Sequence, residues 1–240
     1  NQDYVETNTT TAEMIKYANN AFLATKITFI NSMANICQKI PDTNVDDIAK
    51  VIGMDPRISP LFLNAGPGFG GSCLPKDLQA LITYSKNIGY SPKLLETVQD
   101  CNNQQVDSIV KLLKKNVKNL HNKKIGILGL AFKENTNDVR KSVSINLIKK
   151  LLREKCIVNV HDPKALKNIK KIFKNKLVYF DEYKQIFHHS DCAILMTPWN
   201  EYKKINPNMI KQLHYKILID TRRILKNSNK DGLISLGIGV

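Results

Sequence analysis

After His121-Asn122 the sequence alternates short apolar runs with helical stretches, a pattern that few folds accept. Lys124-Ile125-Gly126-Ile127-Leu128-Gly129, Cys156 to His161, Leu177 to Phe180, Ala193 to Met196 and Ile217 to Asp220 read as strands. Ser142 to Arg153, Pro163 to Phe173 and Glu182 to His188 read as helices between most of them. Successive parallel strands must be joined by a crossover, usually a helix, so the alternation implies a parallel, doubly wound sheet. The first strand leads into Gly129-Leu130-Ala131-Phe132-Lys133 rather than G-x-G-x-x-G. A Rossmann-like domain that binds something other than NAD is therefore expected.

The preceding 120 residues read as all helical. Thr10-x-x-Glu13 has the form of a capping box, and Ile15, Ala18, Phe22, Phe29, Met33, Ile36 and Ile40 follow at spacings of three, four or seven. They form one apolar stripe of a single helix from about residue 10 to 41, roughly 45 Å at 1.5 Å per residue. Such a stripe meets either a symmetry mate or the chain's own core, and the pattern serves both. Shorter helices fit Asn44 to Ile52, stopped by Gly53, and Pro75 to Asn87, stopped by Gly89; one or two more fill Pro92 to Leu120. The expected class is α/β: an all-α domain with one long helix over residues 1–120, then a Rossmann-like doubly wound parallel sheet domain over 121–240.

Composition narrows the function. No run approaches the roughly 20 apolar residues that span a bilayer, and Asn1-Gln2-Asp3-Tyr4 has neither a basic nor an apolar leader region, so no membrane association or secretion is expected. The five cysteines are odd in number, widely spaced and without a C-x-x-C pair, which suggests neither disulfides nor a metal site and fits a reducing cytoplasm. A formal charge of +15 favours phosphate-bearing partners or is a solvated lysine surface, with Lys111, Lys114, Lys115 and Lys118 on polar helix faces. No aromatic-basic cluster or reader motif accompanies the charge, so nucleic acid is not an expected partner.

Between the second and third helices, Pro56, Pro60, Gly66, Pro67, Gly68, Gly70 and Gly71 break any regular element. The glycines let backbone approach a ligand, and Pro75 suits the first turn of the helix beginning after Cys73. A thiol at a helix N-terminus with Lys76 beside it is favoured as thiolate, which is what a covalent nucleophile needs. Asp77, four residues on, shares that helix face and can order a water or act as base. The plain alternative is a structural thiol in a glycine-rich turn, as the apolar settings of most of the other cysteines suggest for them. Lys16 and Asn20, spaced i, i+4 off the apolar stripe, can point into one cleft, there to steady an oxyanion and hold a hydroxyl or water; an exposed helix face is the alternative.

Taken together these residues resemble one family, the UDP-glucose 6-dehydrogenases within the UDP-glucose/GDP-mannose dehydrogenase group. The matching segments, in order, are Lys16 to Ala24, Arg57-Ile58, Phe62-Leu63-Asn64-Ala65-Gly66-Pro67-Gly68-Phe69-Gly70-Gly71-Ser72-Cys73-Leu74-Pro75-Lys76-Asp77, Gly129 to Lys133, Asp138-x-Arg140-x-Ser142, Asp162-Pro163, Thr197-Pro198-Trp199 and Asp220-x-Arg222. The resemblance implies that residues 1–120 are a central dimerisation domain carrying the catalytic cysteine and that 121–240 bind UDP. It also implies that the NAD-binding domain lies outside these 240 residues, as in a truncated or split product. By the same resemblance Cys73 captures the aldehyde, Lys16 steadies the oxyanion, Asn20 helps bind the reacting group and Asp77 positions the hydrolytic water. Substrate contacts are implied for Arg57 (reaching the partner subunit's substrate), Phe62, Leu63, Asn64, Gly66, Phe69, Gly70, Phe132, Lys133 and Arg222, and NAD contacts for Lys76 and Arg140. Asn64 stands where some relatives place a lysine. The implied reaction takes UDP-glucose to UDP-glucuronate with two NAD, in a homodimer formed through the long helix; GDP-mannose or another nucleotide sugar, or an inactive nucleotide-sugar-binding module, is the alternative.

Overall fold

The computed structural model describes residues 4–225 and 232–239; of the N-terminal stretch named above only Tyr4 falls among them. Helix α1 spans Thr9–Cys37. Its cap is Asn8, whose side chain accepts from the Thr11 N–H at 2.8 Å, so the Thr10-x-x-Glu13 box does not form: Thr10 is already helical and cannot cap. The helix stops four residues short of the expected 41, because Asp42 takes a positive φ of 60° and the Thr43 hydroxyl donates to the carbonyls of Cys37 and Ile40.

Apart from Met33, which packs partly buried against the cluster of Ala34, Cys37 and Val45, the anticipated stripe of α1 does not face the chain's own core. Ile15, Phe22, Phe29, Ile36 and Ile40 are exposed, Phe22 by 65%. The buried face is small and partly polar, formed by Ala21, Ala24, Thr28, Asn31, Ala34 and Cys37. Against it pack α2 (Val45–Gly53), α3 (Leu74–Asn87) and α4 (Lys93–Asn116), which small residues allow to approach closely.

Six strands follow: β1 Lys124–Leu128, β2 Ile157–His161, β3 Val178–Tyr179, β4 Cys192–Leu195, β5 Leu218–Asp220 and β6 Leu233–Ser235. All pair in parallel in the order β3-β2-β1-β4-β5-β6. The sixth strand was not anticipated; it is three residues long between Gly232 and Gly237, too short to show a period. Helices α5 (Val143–Arg153), α6 (Leu166–Phe173), α7 (Tyr183–His189) and α8 (Pro207–Ile210) complete the layers. Ile125, Ile127 and Leu128 of β1 are fully buried in one cluster with Leu147, Ile148 and Leu151 of α5 and Ile186 and Phe187 of α7. Both faces of the sheet are thus covered, as a parallel sheet requires.

The helical part and the sheet are firmly joined. Val106, Ile109, Val110 and Leu113 of α4 belong to the sheet's own core cluster. The Val45 N–H donates to Gly237 O at 3.0 Å and the Gly239 N–H to Thr43 O at 2.9 Å. Gln38 brackets the same tail, donating to Ile238 O at 2.9 Å and accepting from the Gly237 N–H at 2.8 Å. Arg223 reaches back to Asp46 Oδ1 and Ala65 O, each at 2.8 Å.

Candidate active site

Cys73 is the N-cap residue of α3 and, unlike Cys37, Cys156 and Cys192, it is exposed; Cys101 is half-buried. Pro75 lies in the first turn and the Asp77 N–H donates to Cys73 O at 2.9 Å, so the thiol stands over a helix N-terminus. Ser72 Oγ lies 3.7 Å from its sulfur. The loop before it rests on the sheet part through two glycines. A Cβ at Gly70 would overlap the Lys141 carbonyl oxygen, and one at Gly71, which has φ 85°, would come within 2.8 Å of the Phe132 ring. The Gly71 N–H donates to Arg140 O at 3.1 Å.

In the first turn of α3, just after Cys73, the Asp77 carboxylate gathers side chains from α1 and α3. Asp77 is 1% exposed; its Oδ2 accepts from Asn20 Nδ2 at 2.7 Å and lies 3.8 Å from Lys16 Nζ. Its Oδ1 accepts no hydrogen bond and faces Lys76 Nζ at 3.5 Å. One buried carboxylate is therefore surrounded by two ammonium groups and an amide, with one oxygen still free to accept. Arg140 joins from the loop after β1: its guanidinium pairs with Asp138 at 2.7 Å, which raises its pKa first and most, and a charged Cys73 adds to the rise.

A second group assembles where the loop meets β5. A Cβ on Gly66 would lie 3.0 Å from Arg222 Nη1. The Arg222 Nε donates to Met196 O at 2.9 Å, and burial draws its pKa down to about 10, which leaves it cationic at neutral pH. Leu63, Asn64 and Arg222 line one cavity of about 310 Å³ with Asp46 and Arg223. Phe132 lies on Gly71, and Lys133 Nζ sits 5.7 Å from the Phe132 ring centre. Phe69 is buried among Leu78, Ile82 and Val98. Two of the named residues stay apart: Arg57 is exposed and paired with Asp55 at 2.7 Å, and Phe62 is 44% exposed at φ 64°.

Asp162, Thr197 and Trp199 lie in the segments that carry the family resemblance, with no role assigned to them by sequence. Asp162 is 2% exposed at the end of β2, and its Oδ2 accepts from the N–H groups of Leu130 (2.7 Å) and Ala131 (3.0 Å) and from Trp199 Nε1 (3.1 Å). Its Oδ1 accepts from the N–H groups of Lys164 and Ala165. The peptides beyond β1, where a dinucleotide fold receives a pyrophosphate, thus already hold a carboxylate. Thr197 closes the same end, leaving no room for a Cβ at Gly129. This is the physical counterpart of the missing glycine fingerprint. Arg223 and Asp46 were also missed, since nothing local marks a pairing across 177 residues.

Residues 10–104 match the central domain of the UDP-glucose/GDP-mannose dehydrogenase family, and residues 126–227 match the UDP binding domain of that family. UDP-glucose 6-dehydrogenase of Rickettsia bellii is 44% identical over 230 residues, covering 93% of this chain and 52% of the relative. UDP-glucose 6-dehydrogenase TuaD of Bacillus subtilis is 39% identical over 238 residues, 98% of this chain and 51% of the relative. Among solved structures, a UDP-glucose dehydrogenase of the hyperthermophilic archaeon Pyrobaculum islandicum superposes with a TM-score of 0.84 at 31% identity, covering 93% of this chain and 50% of that one. The chain spans about half the length of the curated relatives it matches. With both matched segments belonging to one family and the folds superposing along nearly the whole chain, this protein belongs to the UDP-glucose/GDP-mannose dehydrogenase family, of which it carries the central and UDP-binding parts.

Proposed function

We propose that the chain supplies the nucleophile and the nucleotide-sugar site of an NAD-dependent UDP-glucose 6-dehydrogenase, which oxidises UDP-glucose to UDP-glucuronate through a covalent intermediate on Cys73. The observation that carries this reading is an exposed thiol capping α3, one turn from a buried carboxylate held by Lys16, Asn20 and Lys76. UDP-glucose is preferred over GDP-mannose because relatives bearing the former name are 39 to 44% identical to the chain. The division into a helical unit up to residue 120 and a UDP-binding unit from 121 belongs to the same reading.

Each step asks something definite of these residues. When C6 of the sugar is oxidised from alcohol to aldehyde, its hydroxyl proton is released to solvent as the hydride leaves, while Lys16 steadies negative charge on the oxygen and Asn20 orients it. The Cys73 thiolate then adds to the aldehyde carbon, forming a C–S bond and keeping the aldehyde bound as a thiohemiacetal. Loss of a second hydride from C6, with the proton of the thiohemiacetal hydroxyl released to solvent, re-forms the C=O bond and leaves a thioester. The free Oδ1 of Asp77 holds a water and takes its proton as that water attacks; the C–S bond breaks and its electron pair returns to sulfur. NAD, two molecules per sugar, supplies the hydride acceptance. Lys76 and Arg140, each 70% exposed at the rim of the thiol, suit its phosphates, whereas the peptides after β1 do not, being occupied by Asp162. Arg222, Lys133 and the Leu63 to Gly66 stretch would take the sugar nucleotide. A reducing, cytoplasmic setting fits a mechanism that needs a free thiol.

The test is Cys73→Ser in the complete enzyme. Oxidation of UDP-glucose to UDP-glucuronate should fall by at least about a thousandfold. Turnover at the parental rate would end the nucleophile assignment.

A further inference from the structure

Buried amides behind the loop 66–69 carry a role the reaction scheme does not use. Gly66-Pro67-Gly68-Phe69 is buried but pairs with no strand. At one end the Gly66 N–H donates to Asn31 Oδ1 at 2.6 Å and the Gly66 carbonyl accepts from Gln105 Nε2 at 2.9 Å. At the other end the Phe69 N–H donates to Asn102 Oδ1 at 2.8 Å and its carbonyl accepts from Asn102 Nδ2 at 3.1 Å. Gln105 is steered in turn by Asn35 Nδ2 at 2.8 Å. Among the described residues the Pro67 carbonyl and Gly68 N–H have no partner, so three side-chain amides from α1 and α4 are the polar anchors of this stretch.

Such an arrangement is costly for a helix interface. Asn31 and Gln105 are 4% and 2% exposed, where apolar side chains would ordinarily pack. Beside them lies a cavity of about 100 Å³ whose walls include Thr28, Ser32, Asn35 and Ser108. Thr28 Oγ1 and Asn31 Nδ2 find no partner within the described residues, a stability penalty of about 1–3 kcal/mol for a buried polar group that water does not reach. Departures of this kind from good packing concentrate where a site needs them. What these amides fix is the span between two ends of the site: Gly66 leans on Arg222, and Phe69 leads through Gly70 and Gly71 to Cys73.

We propose that Asn31, Asn102 and Gln105 are positioning residues that set the register between the nucleotide end of the site and the Cys73 sulfur, so that a sugar nucleotide anchored at Arg222 presents C6 to the thiol. The inference rests on the function proposed above. A catalytic geometry that slips by about 1 Å loses on the order of a hundredfold in rate even when the change lies away from the chemistry.

The experiment measures kcat with UDP-glucose in the complete enzyme alongside the Kd of UDP by calorimetry, for wild type, Asn102→Leu, Gln105→Leu and Asn102→Asp. The leucine variants should lose about ten- to a hundredfold in kcat while UDP affinity stays within about twofold. Asn102→Asp keeps the acceptor for the Phe69 N–H but sets a carboxylate oxygen where the amide donated to the Phe69 carbonyl, so its kcat should fall as well. A leucine variant that does not fold leaves the decision to Asn102→Asp, whose kcat must fall with UDP binding intact. Wild-type kcat in the folded variants, or kcat and UDP affinity falling together, would overturn the register role. Failure of the wild-type enzyme to oxidise UDP-glucose would instead sink the function on which it rests.

Discussion

His161, at the end of β2, is 3% exposed, with Nδ1 2.8 Å from the Tyr202 hydroxyl and Nε2 3.7 Å from Glu201 Oε1. Burial holds its pKa below the ordinary 6.5, and the nearby Asp162 and Asp181 only partly offset this. Below about 6.5 the unfolded chain takes up a proton that the folded chain refuses, so stability is present above that pH and is lost as pH falls towards and through the folded value. The melting temperature should therefore drop between about pH 7 and about pH 5, and His161→Asn should flatten that slope; an unchanged slope in the variant would refute the assignment. Residues of this kind are hard to see in a sequence. Cys73 was legible because its glycines, proline and following Lys76-Asp77 are neighbours in the chain. The Asn20–Asp77 contact spans 57 positions and was legible only as two residues each fit for one cleft. Asn102 and Gln105 resembled any polar face of α4, since an amide that grips a distant peptide leaves no local mark.

Helix α1 presents one face of small residues inward and another of large apolar ones outward. Met14, Ile15, Phe22, Phe29 and Ile36 remain exposed along it and Ile40 just beyond its end, more contiguous apolar surface than a lone helix usually offers water. A second copy of the chain meeting this stripe would cover it, as the homodimer implied by the family resemblance requires. Phe22→Lys combined with Phe29→Lys should turn a dimer into a monomer in sedimentation velocity with the fold intact by circular dichroism; equal sedimentation of variant and parent would exclude this interface. At this scale the sequence was informative about periods and less so about faces. The stripe's spacing foretold a helix, but Ala21, Ala24, Thr28 and Ala34, which do the packing, carry no hydrophobic signal strong enough to mark the inner side. Strands β1, β2 and β4 were legible as apolar runs, whereas β6, at three residues, was not.

Across the whole molecule the cysteine loop depends on both halves: α1, α3 and α4 hold it from one side, Phe132, Arg140, Lys141 and Arg222 from the other. The residues Gly237 to Gly239 and Arg223 tie the sheet to the ends of α1 and α2, and α4 shares the sheet's core. One cooperative transition should follow. The single tryptophan, Trp199, is 5% exposed beside β4 and reports on the sheet by fluorescence, while far-ultraviolet circular dichroism is dominated by the helices. The two melting curves should share a midpoint; separate midpoints would show the halves unfolding independently. The order of helices before strands was readable along the chain, but this stitching was not, because its contacts join segments nearly 200 positions apart, as Gln38 and Gly237 are at 199. It also makes the junction a weld rather than a hinge. Parting helices from sheet would tear Gly71 from Arg140 and Arg223 from Ala65, so traffic into the site has to be gated by something other than the swing of one half against the other.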